Sequence, residues 1–329
     1  MDNICEEKHI LYLSRRDVEE VNLPLASMLR LIENCFLEKG KGNSIMHPKH
    51  WYDWGEERFF SAMTAYTPTF KVAGVKWQSV VPENPNRGLP YINGYIIINN
   101  LENGLPIGIM DATWITAART GAQTAVTAKY LAREESEVLA VLGCGVQGRT
   151  NLQALLLVLP KLKCVQAFDI NEANLRAYIE DVEKLGIKVI PCKNQKESIL
   201  GADVIVTAAG IHKNPKREIE PGWLKQGVLA VPLDYDSYWK PEAINGFDKF
   251  FVDDTRQILH FREEGDFFRN IPRIDADFGE IVAGKKTGRQ SKFEKIMCMN
   301  LGVAFEDTPV AFEIYRAAKE KGIGVWLRR

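Results

Sequence analysis

The sequence predicts an α/β protein: a doubly wound parallel sheet joined to a second α+β part. Two observations predict it. From Val138 onward, short apolar runs alternate with helical patterns, and the runs are apolar on both faces, as in strands covered by helices on both sides. Before residue 118 the pattern changes to longer runs bounded by Pro, Gly and Asn, the mark of antiparallel strands and hairpins.

Taken in order, the spacing predicts a capped helix near 16–39, then strands in RFFSAMTAY, FKVAGVKWQSVV and YINGYIIINN, bounded by the turn-rich PENPNRGLP and LENGLP. A helix over 111–132 leads into the parallel part. There, strands are expected at 137–143, 164–169, 188–192, 202–209, 227–234, 249–254 and 295–300, with helices at 147–159, 172–186 and 194–201 between the first of them. The last helix, 304–322, ends at Gly322 and carries an apolar face that can pack back on the N-terminal part.

Composition narrows the function classes. At 329 residues the chain exceeds the size at which one core stops growing, so two domains are expected. Lys and Arg total 42 against 43 Asp and Glu, which gives no global charge imbalance toward nucleic acid or an anionic membrane. No run approaches a membrane span, and the opening MDNICEEKHILYL is not a signal peptide. Cys5, Cys35, Cys144, Cys164, Cys192 and Cys298 form no C-x-x-C pair and read as reduced core residues, so a cytoplasmic protein is expected. His47 and His50 are three apart in a loop-like stretch without further ligands, and no metal site is expected.

The run VLAVLGCGVQGRT holds the most specific motif. Gly143, Gly145 and Gly148 form G-x-G-x-x-G directly after a strand and at the opening of a helix. The first allows the tight turn, the second lets a pyrophosphate approach the backbone, and the third allows close helix–strand packing. Asp169 ends the second strand, 24 residues beyond Gly145, where a carboxylate reaches the adenosine ribose hydroxyls and repels a 2′-phosphate. This predicts a Rossmann-type fold with NAD as cofactor. Two cations stand in apolar runs, Lys76 in VAGVKWQSVV and Arg119 in WITAARTGAQTA, and each needs an anionic partner, protein or ligand.

The motifs GLP, MDAT and RTGA, the glycine loop, GRQS and NLGVAFEDTPVAFEIY resemble the ornithine cyclodeaminase/μ-crystallin family, and within it the archaeal-type alanine dehydrogenases. The resemblance covers most of the chain. It implies a discontinuous organisation: residues 1–117 with 304–329 as a substrate-binding and dimerisation domain, and 118–303 as the dinucleotide-binding domain. It also implies that Lys76 and Arg119 hold a substrate carboxylate, assisted by Lys49, with His47 as the alternative if the alignment slips. Tyr91 then lines the substrate site. Thr120, Val146 and Gln147 join the glycines and Asp169 around the cofactor, and the chemistry falls to Asp234 together with Lys76.

The chain departs from the family pattern at the pocket. Tyr91 replaces a threonine, Ser61 a charged residue, and Pro232 and Leu233 the small residues before the acid, while Asp236 stands as a second carboxylate. Aromatic bulk at Tyr91, Tyr235, Tyr238 and Trp239 favours a substrate with a neutral side chain over ornithine. The expected activity is that of an amino-acid dehydrogenase or imine reductase working as a homodimer. A cyclodeaminase that recycles NAD and a μ-crystallin-like binding protein are the alternatives.

Overall fold

The structure, a computed structural model, describes residues 7–265 and 267–329; Cys5 lies outside them. The chain forms two compact units, residues 1–119 with 303–329 and residues 120–302. The first contains β1 (His9–Leu13), α1 (Arg15–Val21), α2 (Leu25–Lys41), β2 (Ile45–Met46), β3 (His50–Gly55), β4 (Arg58–Thr67), β5 (Val72–Val80), β6 (Ile92–Asn100) and β7 (Pro106–Asp111). The division falls inside α3 (Thr113–Leu131).

The second unit runs through β8 (Val138–Leu142), α4 (Val146–Leu155), β9 (Cys164–Phe168), α5 (Glu172–Glu183), β10 (Lys188–Pro191), α6 (Gln195–Ile199) and β11 (Val204–Thr207). It continues through β12 (Leu229–Pro232), α7 (Pro241–Ile244), β13 (Lys249–Val252), α8 (Thr255–Glu264), β14 (Ala276–Asp277), α9 (Phe278–Val282) and β15 (Ile296–Met299). Helix α10 (Ala304–Lys321) and β16 (Val325–Arg328) complete the first unit.

The first unit is one sheet, ordered β16-β1-β7-β6-β5-β4-β2 with β3 also on β4, and antiparallel except between β1 and β7. Alternation decides its faces. In β4, Phe59, Ser61, Met63, Ala65 and Thr67 are buried, and α10 packs against β4, β5 and β6. The segment 16–39 is two helices rather than one. Asn22 takes a left-handed conformation (φ 50°) at the end of α1, and Pro24 sits at the N-cap of α2, which lacks the N–H needed to continue a helix. His50 opens strand β3 and pairs with Ala62, so the loop expected around the histidines is in part a strand.

The second unit carries an all-parallel sheet, ordered β10-β9-β8-β11-β12-β15-β13-β14. The order reverses direction between β8 and β11, the switch point beyond whose strand ends ligands bind in doubly wound sheets. Cys35, Cys144, Cys164, Cys192 and Cys298 are free and buried. Among the described residues no helix is long and apolar enough to cross a membrane.

Asp203 fixes the opposite end of β8 and β11. It lies just before β11 and accepts the backbone N–H groups of Glu137 (2.9 Å) and Val138 (3.0 Å), while Arg133 and Lys225 pair with the same carboxylate. Replacing it strands two backbone donors and two cations around a nearly inaccessible position. Asp203→Ala should therefore lower the unfolding free energy by roughly 2–4 kcal/mol in a urea titration, and an unchanged midpoint would contradict this role.

Candidate functional site

The glycine loop follows β8 directly. Gly143 has φ +97°, and a Cβ there would lie 2.6 Å from the carbonyl of Ala208 beyond β11, so the turn admits only glycine. A Cβ on Gly148 would lie 2.3 Å from the Gly143 carbonyl oxygen, whereas one on Gly145 meets nothing within 4 Å. The space above Gly145 thus faces outward. Gly145 is also the N-cap of α4 and has no side-chain cap, which leaves first-turn N–H groups to meet an anion.

Asp169 holds this loop as well as presenting charge. One oxygen accepts the Cys144 N–H (2.7 Å) and the other the Asn171 N–H (2.7 Å). Two large apolar side chains stand open beside these residues, Val146 at 64% exposure and Ile170 at 94%. Together they make an apolar rim next to a carboxylate and free N–H groups, which fits an adenosine with its pyrophosphate. Thr120 is buried on α3, and Gln147 sits in the first turn of α4, its side-chain oxygen receiving Asn151 Nδ2 at 3.3 Å.

Asp234 follows β12 and is buried. Its carboxylate accepts the Thr207 hydroxyl at 2.6 Å and the Ala209 N–H at 3.1 Å. Trp239 Nε1 donates to the same hydroxyl at 3.3 Å, which directs the Thr207 proton toward the carboxylate. Burial pushes the Asp234 pKa up to about 7, against the lowering pull of Thr207 and Ala209. A carboxyl group so placed can take or give a proton near neutral pH. Asp236 is spoken for: Arg217 binds its carboxylate at 2.7 Å and its carbonyl at 3.0 Å, and the Phe268 N–H reaches it at 3.3 Å.

The two cations of the first unit have protein partners. Lys76 donates to Asp307 at 2.8 Å, and Arg119 donates to Asp307 at 3.1 Å and to Glu306 at 3.2 Å, all four side chains being buried. Burial pulls the Lys76 pKa down to about 8, against the raising effect of Asp307. Lys49 is also buried. It lies one residue before His50, which opens β3 and pairs with Ala62. Ser61 and Gln78 pair across β4 and β5 on the buried face that holds Lys76, and neither Ser61 Oγ nor Gln78 Oε1 has a hydrogen-bond partner.

Two expectations are corrected. Tyr235 and Trp239 do not bring aromatic bulk to a pocket. Tyr235 is fully buried against Phe261, Phe267 and Phe268, and Trp239 is buried against Phe247. Tyr238 and Tyr91 are half-buried; Tyr238 donates to the Gly210 carbonyl at 3.1 Å, and the Tyr91 carbonyl accepts the Val81 N–H at 3.0 Å. Sequence reading missed Glu306, Asp307, Thr207 and Gln78. The acids were visible by the signal that marked Lys76, charge inside an apolar run, here GVAFEDTPVA.

The profile of the ornithine cyclodeaminase/mu-crystallin family matches residues 8–322. The nodulation efficiency protein NfeD of Rhizobium meliloti is 32% identical over 316 residues, covering 96% of this chain and 97% of that protein. Among solved structures, Thermococcus litoralis Δ(1)-pyrroline-2-carboxylate reductase in complex with NADH and L-proline is similar with a TM-score of 0.86 at 29% identity, covering 96% of this chain and 99% of that one. An archaeal alanine dehydrogenase dimer with bound NAD gives a TM-score of 0.85 at 29% identity, covering 97% and 99%.

The loop geometry separates two glycines by experiment. Gly148→Ala forces backbone apart and should cost about 1–3 kcal/mol in urea unfolding, whereas Gly145→Ala, entering open space, should stay within about 0.5 kcal/mol of wild type. Equal effects at the two positions would contradict the packing described.

Proposed function

Because the chain belongs to the ornithine cyclodeaminase/mu-crystallin family, we propose that it is an NAD-dependent oxidoreductase acting at the Cα–N bond of an amino or imino acid, as an amino-acid dehydrogenase or imine reductase. The observation that carries this reading is Asp234, a buried carboxyl group poised to exchange a proton near pH 7 at the end of a strand beside the switch point. The cofactor is NAD, as in the two similar structures solved with it. Gly143, Gly145, Gly148 and the first turn of α4 receive its pyrophosphate, Asp169 its adenosine ribose, and Val146 and Ile170 flank the base. Bound NAD supplies the hydride acceptor or donor.

Residues 120–302 act as the cofactor-binding domain, and residues 1–119 with 303–329 as the substrate-binding one. Lys49, Lys76 and Arg119 hold the substrate carboxylate. Glu306 and Asp307 keep Lys76 and Arg119 charged and oriented in this buried setting. Asp234 takes the amine proton when the substrate is oxidised and returns one when an imine is reduced. Ser61 and Gln78 offer a hydroxyl and a carbonyl to a neutral side chain, and neither counters the distal ammonium that a cyclodeaminase substrate would bring. Five free, buried cysteines support a reducing compartment, the cytoplasm.

A panel of amino acids with neutral, acidic and basic side chains, assayed with NAD while NADH and ammonia are followed, tests the reading. Fastest NADH formation with a neutral amino acid is expected, and proline with ammonia formed faster from ornithine would overturn it. The pH dependence follows from Asp234. Below pH 7 it is protonated and cannot accept, so kcat/KM for oxidation should rise through pH 7. In Thr207→Val the carboxylate loses a donor, its pKa climbs, and the limb should move up by about one unit. Asp234→Asn should lose the limb together with ~10²-fold in kcat, while wild-type profiles in both variants would remove Asp234 from the chemistry.

The outward face of the first sheet supports a homodimer. Ile45, Tyr52, Tyr66, Trp77, Tyr95, Val325 and Leu327 are all more than 40% exposed there, and Trp77 and Tyr95 are cross-strand partners. Large apolar side chains gathered on one exposed sheet face mark an interaction surface. A second copy of the chain covers it, as the dimeric state of the archaeal alanine dehydrogenase suggests. Wild-type protein should sediment as a dimer and Trp77→Arg as a monomer; a monomeric wild type would exclude this interface.

A further inference from the structure

Arg149 has no part in the cofactor contacts assigned above, yet its side chain reaches back into the glycine loop. It stands on α4, four residues after the N-cap Gly145. Its Nη1 donates to the carbonyl of Cys144 at 2.7 Å, and its Nε donates to Asp181 on α5 at 2.9 Å. The guanidinium also lies 5.9 Å from the ring centre of Tyr178, which is fully buried on α5 three residues before Asp181. Residues three apart share a helix face, so α5 presents a carboxylate and an aromatic ring to one cation.

Peptide geometry carries this contact into the loop. A trans peptide is planar, so a carbonyl and the N–H that follows it point in opposite directions, and none of the described peptide bonds is cis. Held at its carbonyl edge by Arg149, the Cys144–Gly145 peptide directs the Gly145 N–H away from that side chain. The preceding peptide is held at both edges. Asp169 accepts the Cys144 N–H at 2.7 Å, and the Gly143 carbonyl oxygen packs against Gly148, where a Cβ would lie 2.3 Å from it. The buried Cys144 thiol donates to the Phe168 carbonyl at 3.6 Å. Cys144 is thus fastened through its N–H, its carbonyl and its side chain, between two glycines that have no side chains to share the task.

We propose that Arg149 is a positioning residue for the cofactor: by holding the Cys144 carbonyl it keeps the Gly145 N–H aimed at the pyrophosphate of NAD, and Asp181 and Tyr178 keep Arg149 in place. This role rests on the NAD reading above. Without the tie, a peptide bordered by glycine samples more orientations before binding, and the entropy lost on fixing it weakens the complex. Orientation and direct attraction between cation and phosphate make opposite demands on Asp181. Removing that carboxylate loosens Arg149, which weakens NAD binding if Arg149 orients the loop. It also makes the surroundings more positive, which strengthens NAD binding if Arg149 acts by charge alone.

Calorimetric titration of the full chain with NAD and with ADP-ribose, alongside steady-state kinetics on the best amino acid of the panel, tests this. In Arg149→Ala both ligands should bind about tenfold more weakly. KM for NAD should rise by the same factor, while kcat at saturating NAD and KM for the amino acid stay within about twofold of wild type. Asp181→Ala, at a half-exposed position on a helix, where alanine is well tolerated, should weaken both ligands about threefold. A merely structural role would lower the melting temperature of Arg149→Ala and leave its affinity for NAD unchanged, which would overturn the proposal. Tighter binding in Asp181→Ala would overturn it as well, by assigning Arg149 to charge attraction. Wild-type protein that binds neither NAD nor ADP-ribose would remove the NAD reading itself, and this role with it.

Discussion

Asp307, in the first turn of α10, reaches Lys76 on β5 and Arg119 on α3, partners 231 and 188 positions away along the chain. None of the three could be buried alone, because an unpaired charge away from water costs several kcal/mol. Together with Glu306 their charges balance, and the last helix is thereby fixed onto the sheet formed by the first third of the chain. The discontinuous first unit depends on that pairing. The same contacts hold two cations rigid in a dry setting.

The second unit solves a different problem, that of bringing two turns at the strand ends close together. Gly143 lets the turn after β8 pass against Ala208 in the turn after β11, and Asp169 pins the first of these turns through the Cys144 N–H. On either side of Ala208, Thr207 and Ala209 converge on Asp234. Burial raises the proton affinity of that acid, while two donors keep it from rising further, and the balance leaves it near neutrality. Strand order, turn chemistry and proton affinity are thus consequences of one arrangement of parallel strand ends.

Much of this was legible in the sequence, because the signals are local. Glycine spacing after an apolar run and an acid at the end of the next strand single out Gly143 and Asp169 from contiguous segments, and the resemblance to the family adds Asp234, the acid after AVPL. What escaped depends on the tertiary structure. The peripheral strands β1, β3 and β16 are short or polar, and their state is decided by neighbours distant in sequence. The partners of Lys76 and Arg119 lie near the far end of the chain. The orientation of Tyr235 and Trp239 was misjudged because composition shows that aromatic residues cluster but not which way a left-handed turn at Tyr235 sends them. Helix periodicity across 16–39 likewise concealed the break at Asn22 and Pro24.

The central claim is direct hydride exchange between NAD and the Cα of an amino acid. It is tested most directly with NADH carrying deuterium in the transferable position at C4, incubated with the enzyme and a panel of 2-oxo acids plus ammonia or of cyclic imino acids. Mass spectrometry then locates the label in the amino acid formed. One deuterium at Cα, retained when the reaction is run in ordinary water, is the result this account predicts; product without label, or label exchanged into solvent, would contradict it.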